Sequence, residues 1–132
     1  MTVQSFSMAE SRDPLTYAII GAAMAVQDEV GPGLLESAYE AFLCIELVER
    51  GLCVRRQVGL PAVYKGHRVE LGFRPDLIVD DQVIVELKCV DKLIPVHEAQ
   101  ILTYMKLAGM EKGLLLNFQS RPLINGLKRF GL

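Results

Sequence analysis

Arg74-Pro75-Asp76-Leu77-Ile78-Val79-Asp80-Asp81-Gln82-Val83-Ile84-Val85-Glu86-Leu87-Lys88 is the stretch that decides the fold. Two β-branched apolar runs flank a polar triplet, the pattern of a β-hairpin. With Asp80 to Gln82 as the loop, Val79 pairs with Val83, Ile78 opposes Ile84, and Asp76 falls opposite Glu86. Side chains alternate along a strand, so Glu86 and Lys88 emerge on one face while Val83, Val85, Leu87 and Cys89 emerge on the other. One face is expected to be core and the other charged. A register slip of one residue would turn Asp76 to the wrong face, so the loop length decides whether the carboxylates meet.

If they meet, two acids and a lysine share one spot. Opposed like charges are unfavourable unless a cation occupies the gap, and oxygen donors of this kind suit Mg²⁺ or Mn²⁺. A cation there would polarise a phosphoryl oxygen and acidify a water, while a lysine orients the nucleophile or stabilises developing negative charge. That is the chemistry of phosphodiester hydrolysis. The same three residues also fit an edge hairpin with an exposed Glu–Lys pair of little energetic weight.

Downstream, Pro95 opens a helix with an apolar stripe of Val96, Ala99, Leu102 and Met105, ending near Gly109. His97, Gln100 and Tyr104 form a polar stripe beside it. Gly113 to Phe118 suits a buried strand, and Pro122 to Phe130 a final helix or turn. Upstream, period-two stretches at Cys53–Val58, Ala62–Tyr64 and Arg68–Phe73 predict strands. Before them lie two helices. The first starts at Asp13-Pro14 and keeps Leu15, Ile19, Ala22, Ala23 and Val26 in helical phase up to Gly31-Pro32-Gly33. The second carries Leu35, Ala38, Phe42, Ile45 and Val48 and stops at Gly51. Glu36 and Tyr39 sit in its first turns, where the positive helix end favours a carboxylate or a phosphate. Residues 1–12 are polar and aperiodic, and are expected to be a flexible tail on a single domain of residues 13–132. The expected class is α/β (α+β), a mixed β-sheet flanked by helices.

A length of 132 residues leaves little room for a second core, and 51% hydrophobic with 23% charged residues excludes a disordered chain. No apolar run approaches the roughly 18 residues that cross a bilayer, and the start of the chain lacks a signal-peptide pattern, so the expectation is a soluble cytoplasmic protein. Cys44, Cys53 and Cys89 show no CxxC spacing and are expected to be buried free thiols. The net charge of −2 conceals segregation: residues 1–49 hold Arg12 against eight acids, while residues 50–74 hold six bases against Glu70. The basic block fits either a polyanion or the solvated face of a hairpin.

Gly33-Leu34-Leu35-Glu36-Ser37-Ala38-Tyr39 matches a GxxExxY signature, Pro75-Asp76 and Glu86-Leu87-Lys88 match PD and ExK elements, and Gln100 to Tyr104 matches QxxxY. On these four motifs in this order, residues from about Leu15 to Phe130 resemble the GxxExxY proteins of the PD-(D/E)XK nuclease-like superfamily. The resemblance implies a restriction-endonuclease-like core and a Mg²⁺- or Mn²⁺-dependent nuclease acting on nucleic acid, with DNA the expected substrate. It implies a metal site of Glu36, Asp76, Glu86 and the main-chain carbonyl of Leu87, with Lys88 as the catalytic lysine and Gln100 and Tyr104 positioning the nucleic-acid backbone or the attacking water. The resemblance departs at Gln27, where relatives often carry histidine. A catalytically silent nucleic-acid-binding or accessory module is the alternative. Small size and near-neutral charge favour help from a homodimer or a protein partner.

Overall fold

The runs Leu77–Val79, Val83–Val85 and Leu114–Leu116 are apolar at every position, which calls for cover on both faces. In the computed structural model, which describes residues 2–5 and 13–131, a six-stranded mixed sheet runs through the molecule. Its strands are β1 (Thr2–Ser5), β2 (Val54–Arg56), β5 (Leu77–Val79), β6 (Val83–Lys88), β7 (Lys112–Asn117) and β8 (Leu127–Gly131), in the order β1-β8-β7-β6-β5-β2. Only β6 and β7 pair in parallel, as their connection through helix α3 (Pro95–Ala108) requires. Strands β3 (Leu60–Tyr64) and β4 (His67–Phe73) form a separate two-stranded ribbon, and β4 leads directly into the Pro75-Asp76 turn.

Residue parity divides the core. Leu77, Val79, Val83, Val85, Leu87, Leu114 and Leu116 face helices α1 (Pro14–Val30) and α2 (Glu36–Glu49). Ile78, Ile84 and Leu115 face α3 through Ile101, Tyr104 and Met105. Helix α1 follows the sequence reading: Asp13 caps it by accepting from Leu15 N–H, Pro14 starts it, and Gly31 ends it at φ +70°.

Four expectations are corrected. Thr2–Ser5, placed in the tail, pair antiparallel with β8 and cover backbone groups that would otherwise form an open sheet edge; residues 1 and 6–12 lie outside those described. The last element is a 3₁₀ turn (Leu123–Gly126) followed by strand β8, because Leu127 and Phe130 are drawn against the sheet while β8 pairs along β7. In α2 the buried residues are Tyr39, Glu40, Leu43 and Leu47, while Ile45 and Val48 of the expected stripe are 57% and 56% exposed. In α3 the buried set is Ile101, Tyr104 and Met105, with Val96 outside. Both helices carry apolar residues on two sides, so periodicity alone does not select the inner one.

The phase of α2 is testable. Leu43→Ala leaves a void in a closed core and is expected to cost about 2–5 kcal/mol, whereas Ile45→Ala on the outer side should stay within about 0.5 kcal/mol. Urea unfolding of the two variants measures both, and a larger loss at Ile45 would contradict this packing.

Candidate active site

The hairpin register is the one the loop length predicts: Val79 faces Val83, Ile78 faces Ile84, and Leu77 faces Val85. Asp80 and Asp81 take left-handed φ values of 51° and 54°, which aspartate tolerates, and Gln82 N–H closes the turn on Val79 O at 3.0 Å. The loop is also tied to the start of β2, where Asp80 N–H donates to Cys53 O and Cys53 N–H to Asp80 Oδ1, both at 2.8 Å. With register pinned, Asp76 meets Glu86. Asp76 N–H donates to Glu86 Oε1 at 2.7 Å, and Leu87 N–H donates to Asp76 Oδ2 at 2.8 Å. The charged face of β6 is not the exposed face of an edge hairpin; it lies on the α3 side, and Glu86 is only 2% exposed.

Two carboxylates in this setting resist ionisation. Burial, reinforced by the charge of Asp76, pushes Glu86 up to about 8. Burial and the charges of Glu40 and Glu36 push Asp76 to about 6, against the opposing hydrogen bond from Leu87. Among the described residues neither carboxylate forms an ion pair. A raised carboxylate pKa means that the folded state holds its proton more tightly than the unfolded chain. Stability from Glu86 is therefore complete below the ordinary value of 4.5 and is lost as pH rises through about 8. The metal-free protein should lose on the order of a few kcal/mol between pH 5 and pH 8.5. Glu86→Gln should flatten that dependence, and melting curves across this range will show a flat wild-type profile if the acids do not behave this way.

Lys88 closes β6, and its Nζ donates to Gln100 Oε1 at 3.0 Å. Gln100 Nε2 in turn donates to Tyr104 Oη at 3.1 Å, the four-residue spacing on α3 bringing the two side chains together. Tyr104 is nearly buried, and burial together with the charge of Glu86 pushes its phenol up. The structure thus joins Asp76 to Glu86 and Lys88 to Gln100 and Tyr104, on one side of the sheet.

Glu36 is the first residue of α2. Tyr39 holds that helix start, donating its hydroxyl to Gly31 O at 2.6 Å while its ring stacks on Phe118 at 4.7 Å. The Glu36 side chain is exposed, and its charge reaches Asp76, Glu86 and Cys89 through space. Two residues that sequence reading missed complete the wall. Glu40, 7% exposed, accepts from Arg56 Nη2 at 3.0 Å and from Gln57 Nε2 at 2.8 Å; the same Gln57 nitrogen donates to Asp76 Oδ1 at 3.1 Å. Glu40 stands in phase with Glu36, Leu43 and Leu47, and that phase was the one available signal. Nothing in the sequence marks Gln57.

The basic block is mostly spoken for. Arg55 pairs with Asp81, Arg56 with Glu40 and Arg68 with Glu70, so these three are not free to face a polyanion, whereas Arg74 and Lys65 form no ion pair among the described residues. Gln27 is buried and donates to Phe118 O and Ser120 O at 3.2 and 2.6 Å, tying α1 to the segment after β7. Cys44, Cys53 and Cys89 are free thiols, but the expected burial is corrected: Cys53 is exposed and Cys44 and Cys89 are half-buried.

Among the described residues no three His, Cys, Asp or Glu side chains are grouped closely enough to hold a metal ion by themselves. The donor chemistry nevertheless fits a hard divalent cation. Half-buried Asp76 and buried Glu86 are adjacent carboxylates without an ion-pair partner among the described residues, and a cation that keeps several waters is commonly held by one or two carboxylates.

The family model described as the PD-(D/E)XK nuclease superfamily matches residues 13–130. No curated protein matches the chain. Among solved structures, the crystal structure of LHK-Exo in complex with dAMP is similar to it, with 18% sequence identity and a TM-score of 0.43 over 83% of this chain and 75% of that one. No helix among the described residues is long and apolar enough to cross a membrane.

Proposed function

The chain belongs to the PD-(D/E)XK nuclease superfamily, and from that premise we propose that it is a Mg²⁺-dependent nuclease, able to use Mn²⁺, that hydrolyses phosphodiester bonds of DNA. Its GxxExxY signature assigns it within the superfamily to the proteins that share that motif. The observation that carries the reading is the pairing of half-buried Asp76 with buried Glu86, two carboxylates without an ion-pair partner among the described residues, on the side of the sheet where Lys88 leads through Gln100 to Tyr104.

In this reading Asp76, Glu86, the Leu87 carbonyl and Glu36 would hold the divalent cation, which when bound supplies Lewis-acid stabilisation of the phosphoryl group. Lys88 stabilises negative charge or orients the attacking water. Gln100 holds the Lys88 ammonium in place, and Tyr104 fixes the Gln100 amide. Burial of Glu86 keeps water from screening these charges. The proposal places the protein in the cytoplasm. The small surface beyond its core fits help from a second copy or a protein partner in holding DNA.

A second reading, a binding module that cleaves nothing alone, draws on the exposure of Glu36 at the helix start. Purified protein incubated with single- and double-stranded DNA and RNA, with and without Mg²⁺ or Mn²⁺, separates the two. Metal-dependent cleavage is expected; binding without cleavage on every substrate would leave the module.

Metal binding has its own signature. Millimolar Mg²⁺ or Mn²⁺ should raise the melting temperature, because a ligand held only by the folded state stabilises it by mass action. Asp76→Asn should abolish that rise and leave the metal-free protein at least as stable, since one repelling charge is gone. An equal rise in both proteins would mean nonspecific binding.

A further inference from the structure

A cavity of about 330 Å³ opens between the end of β4 and the outer side of α3. It adjoins the site directly, since Gln100 and Tyr104 line it and also carry the hydrogen-bonded chain to Lys88. Phe73 and Tyr104 give it an aromatic wall, their rings set edge to face with centroids 6.3 Å apart. Val96, 62% exposed, forms an apolar rim.

The polar atoms are few, and their partners define what they can offer. His97 Nδ1 accepts from Ile94 N–H at 3.1 Å, so in the neutral imidazole the proton sits on Nε2, a donor with no protein partner among the described residues. The Thr103 hydroxyl donates to Ala99 O at 3.0 Å, which leaves its oxygen as an acceptor. The cavity therefore presents aromatic and aliphatic walls with a few donors and acceptors, from His97 and Thr103 and from the Gln100 amide and Tyr104 hydroxyl at the end nearest Lys88. Arg74, next in the chain to Phe73, is exposed and forms no ion pair among the described residues.

A purely aliphatic occupant would satisfy the walls and leave these polar atoms unpaired. A phosphate would meet walls that offer little charge. A flat heteroaromatic ring with donors and acceptors on its edge satisfies both sets at once, by stacking and by edge hydrogen bonds. We propose that this cavity is a nucleobase subsite, holding the base of a nucleotide that flanks the phosphate at Asp76, Glu86 and Lys88. The proposal rests on the nuclease reading for the identity of the polymer, but the base-binding step needs neither metal nor cleavage.

Deoxynucleosides therefore test it without the phosphate. In metal-free protein, titration with each of the four deoxynucleosides should move the NMR signals of the Thr103 methyl and the Tyr104 ring in a saturable way, while deoxyribose should not. Ala99 is exposed and lines the same cavity, so Ala99→Trp fills it from outside the core. That variant should melt like the wild type and bind about tenfold more weakly or worse, the scale of one lost base-stacking contact. Absence of saturable shifts, equal response to deoxyribose, preference for a short aliphatic alcohol, or unchanged binding by Ala99→Trp would each overturn the subsite. Binding of deoxynucleosides by a protein that cleaves no nucleic acid would sink the nuclease reading and leave the subsite standing.

Discussion

Lys88→Ala is expected to lower metal-dependent cleavage by about two to four orders of magnitude, the range seen when one catalytic group is lost, while changing DNA binding little. The asymmetry follows from geometry. Lys88 Nζ is fixed by one hydrogen bond to Gln100, at the end of a strand whose preceding inward side chain is Glu86. A charge held there acts on the few atoms of the reacting phosphate. Attraction for the rest of a polyanion has to come from exposed cations, and of the bases between residues 50 and 74, Arg55, Arg56 and Arg68 are each neutralised by an acid. Removing Arg56 should act on the position of Glu40 rather than on the salt dependence of binding. Single-turnover cleavage and fluorescence anisotropy on the same labelled DNA measure the two effects separately; equal losses in both would mean that Lys88 only grips the substrate.

The parts legible in the sequence are those whose signal is local. The Asp80–Gln82 loop length set the pairing of Asp76 with Glu86, and the four-residue spacing of Gln100 and Tyr104 set their contact. The inner sides of α2 and α3 were not legible, because Phe42, Ile45 and Val48 form as good an apolar stripe as Tyr39, Leu43 and Leu47, and only the sheet beneath chooses between them. The burial of Glu86 was hidden for a related reason. Strand alternation separates its side chain from those of Val85 and Leu87, but whether that face meets water depends on where α3 crosses. The link from Glu40 through Gln57 to Asp76 spans 36 residues, from α2 to the turns after β2 and before β5, and no periodicity encodes such a contact.

That link has a measurable consequence, because Gln57 holds an unfavourable backbone conformation. Its φ of +52° lies in the left-handed region, which costs a residue other than glycine on the order of 1 kcal/mol. Its N–H donates to Asp76 O at 3.0 Å and its side-chain amide to Asp76 Oδ1 and Glu40 Oε1, so one residue fixes both the main chain and the carboxylate of Asp76. Gln57→Gly keeps the main-chain bond, relieves the strain and removes only the amide. The metal-free fold should then be less stable than the wild type by about 1 kcal/mol, since relief of the strain offsets only part of the loss of two hydrogen bonds, to Asp76 Oδ1 and to Glu40 Oε1, while Arg56 continues to hold Glu40 Oε2 through two of its nitrogens. Mn²⁺ affinity, measured by calorimetry, should fall by about 10–100-fold, the range for losing a group that orients a metal-ligating carboxylate. Gln57→Ala keeps the strain and loses the amide, so it should match the glycine variant in affinity and fall below it in stability. If both variants bind Mn²⁺ as the wild type does, Gln57 serves only to shape the turn after β2, and the orientation of Asp76 must come from Leu87 N–H alone.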